Sequence, residues 1–358
     1  MFVSFLAVLY VVPFLYSNFF FLIISSIMTL SFFLSRSSGD YIETMLRLMG
    51  KESFAKRYDV FIDVGAGSYA KKETGGDISL SFMFDIAFPS QQKTIIAFEP
   101  FKYSYDLLLT KLTRHRETYH KNNNKNRMKY ILKNMGVGMN NNDTMTFRGK
   151  RSYMTANKRI ALHPWYEGKG ISEINSTTIE DAVEETGVDH VNILKTDTEG
   201  LEFEVLLGAR HLLKQQKVDC IIYAYEDKWN WDSFAASYPV HTDGSFSFIK
   251  DQLTFDTPNL QSVSKWLDSM GYKSYLIGKA SFKNSNDDEE KGFVAIPVTN
   301  EYWHDDFEVA RNPRRFGLKN KLGNYPTWMD AIAVKENSSL HTWIEQQSAS
   351  HGIRMSCS

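Results

Sequence analysis

Cysteine is scarce: Cys220 and Cys357 are the two in a chain of 358 residues. Two thiols cannot build a disulfide-dense scaffold, and no Cys-x-x-Cys pair is present to hold a metal. An excess of one charge is also missing. Lys and Arg total 41 and Asp and Glu 42, a net charge of −1. That balance excludes a chain whose whole surface attracts polyanions. No nucleic-acid module, internal repeat or metal-type His/Asp/Glu spacing is legible, so no metal and no nucleic-acid partner is expected. What remains is globular in composition, 43% hydrophobic and 23% charged, and long enough for one large domain or two small ones.

Charge is absent altogether before Arg36. Residues 2–34 are almost all apolar, with eight Phe. As a helix rising about 1.5 Å per residue, this stretch exceeds a hydrocarbon core of roughly 30 Å. It reads as one membrane span within 5–34, hence an anchor over 1–36 with the lipid bilayer as a partner. The rival is a cleaved signal peptide, which lacks support from any basic leading segment and usually has an apolar run of only about 7–15 residues. In a eukaryotic cell the anchor places the chain in the endomembrane system. Orientation stays open. Arg36, Arg47 and Lys51 follow the span and favour a cytosolic body. The sequons at Asn142, Asn175 and Asn337 point the other way.

Beyond a linker and leading helix at 37–57, strands and helices alternate. Tyr58–Val64 is an apolar strand running into Gly65-Ala-Gly67. Asp77 is placed to cap a helix through Phe88, and Thr94–Pro100 is a second strand. A helix is expected over about 103–120 and a third strand over 128–138, with Thr146–Arg148 pairing nearby. Residues 149–175 look irregular. A capping box starting at Thr177 opens a helix to about Glu185. A strand at 191–197, a helix at 201–215, a strand at 218–226 and a helix at 263–270 closed by Gly271 follow. Segments 273–278 and 292–298 read as a hairpin. The tail, 299–358, is basic and aromatic and stands apart as an extension. The pattern is a doubly wound α/β sheet, covered on both faces, whose ligands sit beyond the carboxyl ends of the strands.

The residues at those ends carry the chemistry. Asp63 precedes Gly65 and Gly67, whose backbone allows a ligand to approach closely. Gly65-x-Gly67-x-x-Ala70 also fits a dinucleotide fingerprint, which keeps an NAD-dependent oxidoreductase in view. A carboxylate at Asp63 suits an amino group or positive charge better than a pyrophosphate. Glu99, after the second strand, suits two ribose hydroxyls. It stands 34 residues beyond Gly65, whereas the NAD pattern places its acid about 20 beyond.

The fourth strand is the most distinctive: Ile193-Leu-Lys195-Thr-Asp197-Thr-Glu199-Gly200-Leu-Glu202-Phe-Glu204, closing on Gly208-Ala209. Its Asp-x-Glu-Gly core, later Glu202 and Gly-Ala close resemble the FkbM family of S-adenosylmethionine-dependent methyltransferases. FIDVGAG, IIAFEP and STTIEDAVEE resemble the same family, over about 58–298. The sequence departs from it at Gly67-Ser68 and around Asn134-Met135, where no acid follows the third strand. The resemblance implies a class I, mostly parallel seven-stranded sheet and methyl transfer from S-adenosyl-L-methionine, commonly to a hydroxyl oxygen of a small molecule or glycan. It also implies that Asp63, Gly65, Gly67 and Glu99 hold the cofactor.

A hydroxyl nucleophile needs a proton acceptor. Asp197 and Glu199 are the first candidates, Glu226 and Asp227 the second. Glu202 and Glu204 read as a solvated helix face, and Lys195, inside a strand, as the partner of a nearby acid. His163 and His241 are further candidate bases, though a surface or packed histidine explains them as well. Trp165, Trp229 and Trp231 fit either a sugar-stacking wall or packing. Residues 102–129 carry eight Lys and Arg against Asp106 and Glu117, a solvated face more readily than a lipid-binding one. A non-catalytic tethered module on the same fold is the remaining alternative.

Overall fold

The computed structural model describes residues 38–67, 80–88, 92–119, 128–141, 144–148, 152–156, 161–163, 171–198, 201–226, 259–283, 289–298 and 328–350. The proposed span within 5–34 lies outside these. Among the described residues no helix is long and apolar enough to cross a membrane.

Among the described residues the main sheet has eight strands. In chain order they are β1 (Val60–Val64), β2 (Lys93–Phe98), β3 (Met128–Lys133), β9 (Val191–Thr196), β10 (Val218–Glu226), β11 (Tyr272–Lys283), β12 (Glu289–Pro297) and β13 (Trp328–Lys335). Their spatial order is β12-β11-β13-β10-β9-β1-β2-β3. From β10 to β3 the pairs are parallel. The pairs β10–β13, β13–β11 and β11–β12 are antiparallel. The expected mostly parallel seven-stranded sheet is therefore corrected to a mixed sheet of eight. The expected hairpin does form, as β11 and β12. The strand beside β10 is instead β13, from the stretch set apart as an extension. Ala331, Ile332, Ala333 and Val334 of that strand are fully buried, which is what an inner strand requires.

Alternation along the strands places a hydrophobic core on each face of the sheet. Ile62, Val64, Leu194, Ile221 and Tyr223 join one cluster with Ile179, Phe203, Leu206, Leu260 and Leu267. Those partners come from α4 (Ile179–Thr186), α5 (Glu202–Leu207) and α7 (Leu260–Asp268). Phe61, Ile193, Cys220, Ile222 and Ile332 join the other, with Met45, Leu46, Phe84, Trp343 and Ile344. These come from α1 (Ser38–Met49), α2 (Leu80–Ala87) and α8 (Ser339–Ser350). Both faces are thus covered, as the doubly wound reading requires. Cys220 is a buried free thiol. Between β2 and β3 runs α3 (Lys102–Tyr119); Asp77 lies outside the described residues.

Residues 149–175, read as irregular, contribute to a second sheet. It is formed by β4 (Gly136–Val137), β5 (Thr144–Arg148), β6 (Ser152–Ala156), β7 (Ala161–His163) and β8 (Ile171–Thr177), in the order β4-β8-β5-β6-β7. Their polar, mixed sequences carry no apolar run to mark them. The cap expected at Thr177 falls one residue later. Thr177 ends β8, and the Thr178 hydroxyl accepts from the Asp181 N–H at 3.0 Å. The helix expected over 201–215 is broken into α5 and α6 (Arg210–Lys214). Gly208, at the break, lies so close to Gly138 that a Cβ there would meet the Gly138 carbonyl oxygen at 2.1 Å.

Candidate active site

The carboxyl ends of β1, β2 and β9 converge. The N–H groups of Gly65 and Ala66 both donate to the Phe98 carbonyl at 3.0 Å, tying the glycine loop to β2. The Asp197 N–H donates to the Val64 carbonyl at 3.0 Å, tying it to β9. Gly65 has φ +71°, and a Cβ on it would stand 1.9 Å from the Asp197 carbonyl oxygen. Glycine is required there on both counts. Gly67 also has positive φ, 30°.

Glu99 closes the cradle. One carboxylate oxygen accepts from the Gly67 N–H at 3.0 Å and the other from the Phe101 N–H at 2.9 Å. Burial pushes its carboxyl up to about 7, against the pull of those two N–H groups and of Lys195. A carboxylate has about four acceptor positions, and its bonds to the described residues Gly67 and Phe101 use two of them. Beyond β3, Asn134 donates to the carbonyls of Glu99 and Pro100 at 2.9 Å each, binding the two loops together.

Asp63 points into the fold. It is fully buried. One oxygen accepts from the Ser81 hydroxyl at 2.6 Å, and the other lies 3.1 Å from Lys195 Nζ. It therefore anchors the loop from beneath. The pairing expected of Lys195 is present: its ammonium also donates to the Gly65 carbonyl at 3.1 Å and lies 3.9 Å from Asp197. Burial draws Lys195 down, but Asp63 and Asp197 beside it outweigh that and hold it above the usual lysine range. Asp197, half-buried, is the expected base that the structure brings to this edge.

Glu202 and Glu204 are corrected. Both are buried, not solvated. A Glu202 oxygen accepts from the Thr198 N–H at 2.7 Å and from the Thr198 hydroxyl at 3.2 Å. It thus ties the start of α5 to Thr198, two residues beyond β9. All six residues of α5 are buried, so this short helix has no solvated face for the acids to occupy. Ser81 is the residue sequence reasoning missed; a serine in an apolar helix is the one signal it gave. Glu226 ends β10, opposite Trp328 in the register, and His163 ends β7. Glu199, Asp227, His241, Trp165, Trp229 and Trp231 lie outside the described residues. Among the described residues no group of three His, Cys, Asp or Glu is arranged to hold a metal.

No curated protein matches the chain. The family model described as the methyltransferase FkbM domain matches residues 63–274. That span starts at Asp63, takes in Gly65, Gly67, Glu99, Lys195 and Asp197, and covers more than half of the sequence. The chain belongs to the FkbM methyltransferase family.

Proposed function

We propose that this chain is a membrane-anchored methyltransferase that uses S-adenosyl-L-methionine to methylate a hydroxyl oxygen of a glycan or other small hydroxylated acceptor. The observation that carries the reading is the charge of the cradle. Asp63, Glu99 and Asp197 surround one cation, Lys195, and that cation is already engaged by Asp63. A sulfonium or ammonium is favoured in such a field, whereas the pyrophosphate of NAD meets repulsion. The residues present fit the cofactor. The Glu99 carboxylate suits two ribose hydroxyls, and the loop at Gly65 and Gly67 presents bare backbone.

When bound, S-adenosylmethionine supplies a methyl group already activated on a sulfonium. The chain's own contribution is then positioning and proton removal. Lys195 holds the glycine loop and Asp197 in fixed relation through Asp63 and the Gly65 carbonyl. Asp197, more exposed than the buried Asp63, takes the proton of the acceptor hydroxyl at its carboxylate. Glu202 holds Thr198, the residue after Asp197. The bilayer enters through the uncharged segment before Arg36.

The test is transfer of tritium from methyl-labelled S-adenosylmethionine to a panel of glycans and polyols by the full chain in detergent. Asp197→Asn should abolish transfer and leave S-adenosylhomocysteine binding within about threefold. Transfer that survives Asp197→Asn removes Asp197 as the base. Binding without transfer to any acceptor in the panel counts against a hydroxylated acceptor.

A further inference from the structure

Strand β13 lies beyond the matched span of 63–274, yet it brings a carboxylate to the catalytic edge. The register runs Asp63, Lys195, Ile222, Ile332 across β1, β9, β10 and β13. Directly paired residues share a face of the sheet, so these four do. Two residues nearer the catalytic edge, Ala224 of β10 pairs with Asp330 of β13. With a period of two along each strand, Asp330 stands on the face of Lys195. It is 7% exposed. Two strand spacings, about 10 Å, separate β13 from β9. The residue between them is Ala224, whose methyl group sets no steric stop.

The field of Asp330 reaches Lys195 and helps keep that ammonium charged. Its effect on Asp197 is opposite. Lys195 lies 3.1 Å from Asp63 of β1 and 3.9 Å from the Asp197 carboxylate, and two carboxylates on one face of the sheet repel each other. We propose that Asp330 is a positioning residue of the catalytic edge, acting through Lys195 and by repulsion to hold the Asp197 carboxylate on the cofactor side. This rests on the reading of Asp197 as the proton acceptor. It makes a strand outside the family span part of the working site.

The experiment uses the full chain in detergent with [15N]lysine, as wild type, Asp330→Asn and Asp330→Glu. The ammonium signal of Lys195, assigned through Lys195→Arg, should move in Asp330→Asn and return in Asp330→Glu. The signal of Lys93, buried elsewhere, should stay. Calorimetry should show S-adenosylmethionine weakened about three- to tenfold in Asp330→Asn, and S-adenosylhomocysteine less than about twofold, because only the former carries the sulfonium charge. Equal weakening of both ligands, or an unmoved Lys195 signal, overturns the proposal. If wild type binds neither ligand, the functional reading fails and the ammonium signal alone decides the role of Asp330. If Asp330→Asn does not fold, Asp330→Ser is read in the same way.

Discussion

Replacing Gly65 with alanine probes the joint between β1 and β9 directly. Two costs add. A residue with a Cβ at φ +71° pays a left-handed strain of about 1–2 kcal/mol. The new Cβ would also lie 1.9 Å from the Asp197 carbonyl oxygen and 2.9 Å from its carbon. Both are backbone atoms, held by the Asp197 N–H bond to Val64, so the strands must part. Overpacking of that kind costs about 1–3 kcal/mol. The lower entropy of the unfolded alanine chain returns about 0.4–1 kcal/mol. The net expectation is a loss of roughly 2–4 kcal/mol, a large share of a typical stability of about 5–15 kcal/mol. Gly187 supplies the control. Its φ is +68° with nothing within 4 Å of a Cβ, so Gly187→Ala should show the strain alone. Urea unfolding of both variants measures the difference. If Gly65→Ala costs no more than Gly187→Ala, the close approach of the two strand ends is refuted.

Further outcomes follow from the same site. Lys195→Met leaves Asp63 buried without its cation and should destabilise by about 3–5 kcal/mol; adding Asp63→Asn should recover part of it, as a double-mutant cycle in urea would show. Glu202→Ala should cost about 1–3 kcal/mol through the orphaned Thr198 N–H, and it should raise hydrogen exchange at Thr198. Glu99 predicts a pH dependence. Its carboxyl rises from 4.5 to about 7 on folding, so the folded state binds the extra proton between those values. The stability it contributes is full below about 4.5 and is lost as pH rises through 7, at most about 3 kcal/mol. Urea midpoints at pH 5 and pH 8 should differ accordingly, and the difference should shrink in Glu99→Gln. Hydroxyls donating to Glu99 favour its charged form, so S-adenosylhomocysteine should bind more tightly at pH 8 than at pH 6.

The parallel half of the fold was legible because buried parallel strands must be nearly continuous apolar runs. VFIDV, KTIIAF, VNILKT and VDCIIYAYE are such runs, and the structure places a strand on each. Of the small second sheet only the pairing stretch at Thr146–Arg148 was legible; the rest of that sheet and β13 were not, for different reasons. Strands such as ISEINST mix polar and apolar residues as loops do. WMDAIAVK is apolar enough, but its place between β10 and β11 depends on a pairing distant in sequence. In the site, strand ends pointed to Asp63, Glu99 and Asp197. Sequence did not show that Asp63 faces inward, because its partner Ser81 comes from another element. Nor did it show that Glu202 turns back on Thr198, which depends on a helix starting one residue after Leu201.

The proposed cradle accepts the cationic S-adenosylmethionine, with Glu99 at its rim. The most direct measurement is calorimetric titration of the full chain in detergent with S-adenosylhomocysteine and, separately, NAD, repeated on Glu99→Ala. S-adenosylhomocysteine should bind, NAD should not, and Glu99→Ala should lose about tenfold or more in affinity, as expected when a charged hydrogen-bond acceptor is removed. NAD binding by the wild type, or S-adenosylhomocysteine binding indifferent to Glu99→Ala, would contradict such a cradle.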